Sequence, residues 1–189
     1  MRVAPVGLVS ERFQPEQTFE FAAEAAACTH GHPSGYLSAA VMAAMVRSLV
    51  EGADLRGAAD LSLAILRKYD RRDETEEAVK KAVALAGDVC GDHAMAVETL
   101  GGGWVGEDAL AIGLYAALSA ESFVEAIWIA ANHSGDSDST ASIAGQLWAA
   151  MNGLDGVPHV RVSSLDVLLP LLHLTRRFLQ LFADPNRNC

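Results

Sequence analysis

The sequence NHSGDSDST, residues 132–140, lies between two apolar runs, residues 126–131 before it and residues 141–148 after it. It places two carboxylates two residues apart, together with hydroxyl groups and a glycine. Oxygen-rich clusters of this kind suit hard cations such as Mg²⁺ or Ca²⁺. Apolar residues follow at fourfold spacing, at Ile143, Leu147 and Met151, so we expect a helix to begin just after the cluster with these residues on its core face.

The same cluster also suits a helix N-terminus. Asp, Ser and Thr are preferred capping residues, and the exposed N–H groups and dipole of a first turn favour carboxylates. A cap needs one such residue, however, and residues 136–140 are Asp, Ser, Asp, Ser and Thr in succession. From these residues alone, helix capping and a metal or phosphate site both stay open.

Composition indicates a globular domain with a large core. The chain has 189 residues, of which 51% are hydrophobic and 20% charged. Its formal net charge of −10 disfavours binding to nucleic acid or to an anionic membrane, and it favours attraction of divalent cations to an oxygen-lined cleft. No uninterrupted apolar run of about 18 residues is present, so a membrane span is not expected.

The cysteines indicate a reducing compartment. Cys28, Cys90 and Cys189 are odd in number and far apart, and no CxxC occurs. This argues against a disulfide framework and a cysteine zinc site. Residues 1–10 lack the long apolar centre of a signal peptide. We therefore expect a cytoplasmic protein.

Helical periodicity runs through almost the whole chain, which predicts an all-α fold in one compact multi-helix domain over residues 1–189. Leu61, Ile65 and Leu66 are expected as core residues of the third helix. Residues 3–9 are apolar and are expected to form a buried connector. Pro170 either kinks the last helix or marks its start. The predicted helices cover residues 14–27, 36–50, 54–70, 73–87, 107–118, 122–131, 138–151 and 165–182, with a short one within 88–99.

Two loops are candidates for function. His30 and His32 lie two residues apart in the first, where they are metal ligands, acid–base groups or structural residues. The second, residues 101–106, has three consecutive glycines, which are typical of tight turning or of close approach to a ligand or another backbone. Trp104 in this loop either stacks on a flat ligand or, as is commoner for tryptophan, belongs to the core. The chain has no P-loop, nucleophile elbow or HExxH motif.

Four elements, in this order, resemble the ADP-ribosylglycohydrolase family. They are MRVAPVG at residues 1–7, THGHPSGY at 29–36, GGWV at 102–105 and GDSDSTASIAG at 135–145. The resemblance runs through nearly the whole chain, and its most specific part is the Gly-Asp-x-Asp-Ser/Thr element. It implies an all-helical hydrolase that cleaves the bond between ADP-ribose and an acceptor, with ADP-ribose or an ADP-ribosylated molecule as its partner.

The resemblance also implies a two-metal centre containing Mg²⁺ or Mn²⁺. Asp136, Asp138 and the hydroxyl of Ser139 match metal-ligand positions of the family, and Thr140 is a neighbouring alternative to Ser139. Two hard cations can hold ribose hydroxyls, polarise the anomeric region and lower the pKa of a bound water.

Three further positions are implied to bind substrate. His30 matches a family position that approaches ADP-ribose. Gly103 and Trp104 are implied to form part of the wall of the same cleft. No residue of this chain is assigned a catalytic role by the resemblance.

The chain departs from the family at its start. A segment with Gly-Asp-Ala-x-Gly, Thr/Ser-Asp-Asp and Gly-Asn-Gly elements normally precedes MRVAP, and none of the three occurs here. The resemblance therefore implies an N-terminally truncated form of the fold with half of the metal ligands. We expect a truncated hydrolase, one half of a split enzyme completed by a partner chain, or a non-catalytic ADP-ribose-binding or structural protein. A site with only half of its ligands binds metal weakly, so we expect little activity from this chain alone.

Overall fold

A computed structural model of the protein describes residues 1–9, 12–88, 92–154 and 156–182. Within these ranges the chain forms eleven helices and no strand, which confirms the all-α prediction. The chain divides after Gly156 into two compact units, and the prediction of one domain over residues 1–189 stays a prediction. The helices of the first unit are α1 (Ala4–Gly7), α2 (Pro15–Ala27), α3 (Pro33–Val50), α4 (Leu55–Leu66), α5 (Asp73–Leu85), α6 (His93–Leu100), α7 (Gly106–Ser119), α8 (Phe123–Ala131) and α9 (Ser137–Asn152). Those of the second are α10 (His159–Ser163) and α11 (Leu168–Phe182).

Local sequence accounts for most helix starts. Asp54 caps α4 by accepting a hydrogen bond from the backbone N–H of Gly57 at 2.7 Å, and Asp92 caps α6 in the same way. Pro15 begins α2, as expected for a first helical position. The periodicity did not predict α1 and α10, because helices of four and five residues are too short to show a repeat.

Helix α3 lies at the centre of the first unit. It packs against α1, α2, α4, α7 and α9, and its predicted core face is buried. Alanines at 40, 43 and 44 let the neighbouring helices approach closely. The residues of that face are Leu37, Val41, Ala44, Met45 and Leu49.

Two core predictions are wrong. Leu61 is 56% exposed, because the buried face of α4 follows Leu55, Ala59 and Leu66 instead. Met151 is also exposed, because it lies near the C-terminal end of α9, beyond the part of that helix that packs in the core.

The start of the chain is packed on α3. Val3, Gly7 and Val9 are buried, as predicted for a connector, although part of the segment forms the short helix α1. A Cβ at Gly7 would lie 2.5 Å from the carbonyl oxygen of Ala43, so only glycine fits this contact. The first residues of the chain are thereby held beside α3.

The second unit contains one strongly amphipathic helix. α11 has no acidic residue and none of its residues is buried within this unit. Pro170 lies in its first turn, so this proline is near the true start of the helix and does not kink it. Across the ranges that the structure covers, no helix is both long and apolar enough to cross a membrane.

Cys28 is an exposed free thiol, in agreement with the prediction. The other two cysteines, Cys90 and Cys189, lie outside the described residues. The prediction that no disulfide framework exists stays a prediction.

Close packing between α7 and α9 positions the loops that precede these helices. A Cβ at Gly113 of α7 would overlap the side chain of Ile143 and lie 3.1 Å from the backbone nitrogen of Ala144. The side chain of Ile143 on α9 therefore packs directly against the backbone of Gly113 on α7.

We expect Gly113→Ala to lower the free energy of unfolding by about 1–3 kcal/mol, because the added methyl forces α7 and α9 apart. Chemical denaturation measures this change. Gly31→Ala is the matched control, since a Cβ at Gly31 meets no atom within 4 Å, and it should alter stability by less than about 0.5 kcal/mol. Equal stability of both variants would contradict this description of the α7–α9 contact.

Candidate functional site

One cavity of about 170 Å³ lies among the loops that precede α3, α7 and α9. The start of the chain contributes Arg2 and Val3 to its wall, and α3 contributes Ser38 and Met42. Five of the six site residues predicted from the sequence line this cavity. They are His30, Gly103, Trp104, Asp136 and Ser139.

The sixth predicted residue, Asp138, lies beside the cavity. It is exposed and is not part of the wall, but it lies two positions after Asp136 in the first turn of α9 and contributes to lowering the pKa of Asp136. The fold therefore brings together residues that are more than 100 positions apart in the chain, from His30 to Ser139.

Asp136 occupies the N-cap position of α9 without acting as a cap. Its side chain accepts no hydrogen bond of ordinary geometry from the backbone of the first turn. Asp54, at the same position of α4, does accept one. Asp136 thus lacks the capping hydrogen bond that Asp54 makes, although the backbone of Ser139 in the first turn contributes to lowering its pKa.

The carboxyl group of Asp136 is stabilised in its ionised form. Interactions with the side chains of Asp138 and Ser139 lower the pKa of Asp136, and the backbone of Ser139 adds to this effect. A divalent cation beside these oxygen atoms would meet a carboxylate that is already ionised, so these residues have the chemistry of a cation site.

Ser139 and Thr140 differ in where their hydroxyls lie. Thr140 is fully buried, and its hydroxyl donates to the carbonyl oxygen of Ala130 at 2.6 Å. It also lies 3.0 Å from Nε2 of His133. Ser139 instead lines the cavity. Of the two hydroxyls proposed as ligands, that of Thr140 is already engaged in holding the loop.

The tautomer of His133 follows from its contacts. The backbone N–H of Gly135 donates to Nδ1 at 3.1 Å, so Nδ1 carries no proton and Nε2 donates to Thr140. Glu98 of α6 holds the same loop from outside, because its carboxylate accepts from the backbone N–H of Ser134 at 3.1 Å and from its hydroxyl at 3.2 Å. The loop that carries Asp136 is thus fixed on two sides.

The glycine loop packs backbone to backbone against the acidic loop. The carbonyl oxygen of Gly102 accepts a hydrogen bond from the backbone N–H of Asp136 at 2.8 Å. A Cβ at Gly135 would overlap that carbonyl. Gly103 has φ +73°, and a Cβ there would lie 2.8 Å from Thr140 Cγ2. The prediction that the glycines permit close approach of another backbone is confirmed.

The two predicted histidines have different surroundings. His30 lines the cavity, and its Nδ1 is 2.8 Å from the hydroxyl of Thr29, which also accepts from Arg2. His32 lies outside the cavity wall and pairs with Ser34 at 2.9 Å and Glu74 at 3.6 Å. The structural interpretation therefore fits His32, and the functional one fits His30.

Trp104 is 74% exposed at the edge of the cavity, so of its two interpretations the core position is excluded, and the indole lies where the resemblance implies a cleft wall. Gly102 and Gly103 come directly before Trp104 in the loop that precedes α7, so the indole does not belong to a packed helix face. A flat side chain with a free face beside a cavity is suited to stack on a planar ligand.

The sequence analysis missed Arg2 and Met42 as residues of the cavity wall. Arg2 lies in the MRVAPVG element, but nothing in that element indicated that its side chain faces a site. Met42 is in the middle of α3 and shows only a core pattern in the sequence.

The donor set fits one part of a cation centre. Asp136, Asp138 and Ser139 provide the oxygen ligands that Mg²⁺ prefers. Over the residues that the structure describes, no group of three or more His, Cys, Asp or Glu side chains is placed to hold a metal ion. The described residues thus supply two carboxylates and a hydroxyl, and no further acid beside them.

If Thr140 holds the loop and Ser139 does not, we expect Thr140→Val to lower the free energy of unfolding by about 1–3 kcal/mol. The valine would leave two groups unpaired, the carbonyl oxygen of Ala130 and the ring Nε2–H of His133. Ser139→Ala should change it by less than about 0.5 kcal/mol. Urea denaturation of both variants makes the comparison. A larger loss for Ser139→Ala would reverse these assignments.

The sequence profile described as ADP-ribosylglycohydrolase matches residues 1–188 of the chain. No curated protein matches the chain in a sequence search.

Proposed function

The chain belongs to the ADP-ribosylglycohydrolase family, and on that premise we propose that its cavity is part of an active site for Mg²⁺-dependent cleavage of the bond between ADP-ribose and an acceptor. The observation that carries the proposal is the cavity itself. His30, Trp104, Asp136 and Ser139 come from three separate parts of the sequence and line one space.

Asp136, Asp138 and Ser139 would hold Mg²⁺ or Mn²⁺ in this proposal. Their oxygen atoms suit either ion, and Asp136 and Asp138 lie two positions apart at the start of α9. When bound, the cations supply Lewis-acid chemistry at the ribose and a water of lowered pKa. The hydrogen bond between Gly102 and Asp136 keeps the carboxylate in position before any ion binds.

The opposite side of the cavity would bind the ADP-ribosyl group. Trp104 offers an exposed indole face, and Gly103 leaves the backbone beside it open. His30 is oriented by Thr29, whose hydroxyl in turn accepts from Arg2. This places a polar ring and a cationic side chain within reach of a ligand that carries phosphates.

The chain alone would have impaired activity. Its described residues contribute two carboxylates to the centre and no third acidic or imidazole ligand. A site with an incomplete ligand set binds metal weakly, so the chain alone would be occupied by the cations only at high metal concentrations. No described residue is assigned as a catalytic acid or base.

Because the described residues supply too few metal ligands, two alternatives to a chain that acts alone follow. In one, the chain is half of a split enzyme, and a partner chain provides the remaining acidic ligands. In the other, the chain binds ADP-ribose or keeps the scaffold without catalysis. The exposed thiol of Cys28 supports a cytoplasmic location for each of them, because thiols stay reduced in that compartment.

The test of function measures ADP-ribose release from peptides ADP-ribosylated on Arg or on Ser, with Mg²⁺ or with EDTA. We expect release near the rate without protein, together with ADP-ribose binding in calorimetry that requires Mg²⁺. Robust Mg²⁺-dependent release would refute the impairment. If ADP-ribose shows no Mg²⁺-dependent binding in calorimetry, a purely structural role would be favoured.

Asp138→Asn tests the cation assignment. We expect it to abolish Mg²⁺-dependent ADP-ribose binding and to leave stability unchanged or higher, because it relieves repulsion between two carboxylates. Asp60→Asn removes the same charge from an exposed position on α4 and should leave binding unchanged. If the acids are caps instead, binding survives Asp138→Asn, and replacing the capping Asp by Ala costs about 0.5–2 kcal/mol of stability.

A further inference from the structure

One carboxylate outside the cavity holds the loop on which both sides of the site depend. Asp108 lies in the first turn of α7 and is not part of the cavity wall. Its Oδ2 accepts a hydrogen bond from the backbone N–H of Gly102 at 3.1 Å. The glycine loop closes so tightly over this carboxylate that a Cβ at Gly101 would overlap it.

Gly102 transmits this contact to the acidic loop. Its N–H is held by Asp108, and its carbonyl oxygen accepts from the N–H of Asp136 at 2.8 Å. The next two residues are Gly103 and Trp104, which line the cavity. One peptide unit therefore connects Asp108 to the carboxylate side of the cavity and to its tryptophan side.

We propose that Asp108 is a positioning residue for this site: it fixes Gly102, and through Gly102 it fixes the backbone of Asp136 and the loop of Trp104. The inference rests on the proposed function, because the position of Asp136 matters only if the cavity binds a cation and ADP-ribose. Asp108 touches neither ligand and is not a catalytic residue.

The surroundings of Asp108 favour this role over simple surface charge. Burial raises the pKa of its carboxyl group, against the opposing effect of hydrogen bonds from the backbone of Gly102 and Gly103. A carboxylate that is partly removed from water and accepts the N–H of Gly102 is costly to displace. In Glu107, the preceding acid, Oε2 is buried without a hydrogen-bond partner among the described residues.

The test compares Asp108→Ala, Asp108→Asn and Asp108→Glu in the full chain. Alanine removes the acceptor, asparagine keeps an acceptor and loses the charge, and glutamate keeps the charge but moves the carboxylate away from Gly102. Glu125→Ala is the matched control, because Glu125 in the first turn of α8 also accepts from a backbone N–H, that of Glu121 at 2.7 Å, and is not part of the cavity wall.

Two measurements are made on each variant: amide hydrogen exchange at Gly102 and Asp136 by NMR, and Mn²⁺ binding by electron paramagnetic resonance. For Asp108→Ala and Asp108→Glu we expect exchange about tenfold faster at both amides and Mn²⁺ bound at least about tenfold more weakly. Asp108→Asn should stay within about threefold of the wild type, since its amide oxygen still accepts from Gly102. Glu125→Ala should change neither quantity.

The outcomes separate positioning from charge. Unchanged exchange at Asp136 in both Asp108→Ala and Asp108→Glu would overturn the inference. Equal loss of Mn²⁺ binding in Asp108→Asn and Asp108→Ala, with normal binding in Asp108→Glu, would also overturn it, because charge alone would then explain the effect. If Asp108→Ala does not fold, Asp108→Glu and Asp108→Asn decide the same question. If the wild type binds no Mn²⁺, the proposed cation site fails, and the exchange rates still decide whether Asp108 fixes Asp136.

Discussion

The hydrogen bond from the backbone N–H of Asp136 to the carbonyl oxygen of Gly102 is the contact on which the site depends. It joins the loop before α9 to the loop before α7 with no side chain between them, since a Cβ at Gly135 would overlap the Gly102 carbonyl. The α7–α9 contact at Gly113 brings the two loops to this distance. The backbone, more than any side chain, therefore sets the width of the cavity.

Electrostatics explains why this rigid frame is needed. Two carboxyl groups within hydrogen-bonding distance repel each other when both are ionised, and a chain of net charge −10 adds to that repulsion. Backbone hydrogen bonds hold the loop of Asp136 in place despite this cost. A bound cation would offset the repulsion, which is the basis of the proposed cation site, although among the described residues no group of three or more His, Cys, Asp or Glu side chains is placed to hold a metal ion.

Sequence reasoning was most successful where a residue's function depends on its neighbours in the chain. The helices, the acidic cluster, the glycine loop and His30 were predicted from local pattern and family resemblance, and five of the six predicted site residues line one cavity. It failed for Leu61, whose exposure depends on which distant helices cover it, and for Trp104 the residues alone left a core position and a ligand-facing position both open. It also missed Asp108, because an acid in the first turn of a helix is ordinary in sequence.

By itself, the sequence determined the all-α class, the family and the residue types that meet at the site, because periodicity, glycine spacing and motif order are local properties. Only the tertiary structure decided that Ser139 faces the cavity while Thr140 faces the core. Adjacent helical residues differ by about 100° in direction, and the packing of α9 against α7 and α8 selects which direction is the interior. The partners of Gly7, Gly103, Gly113 and Gly135 were decided in the same way, by contacts between segments about 30 to 40 residues apart.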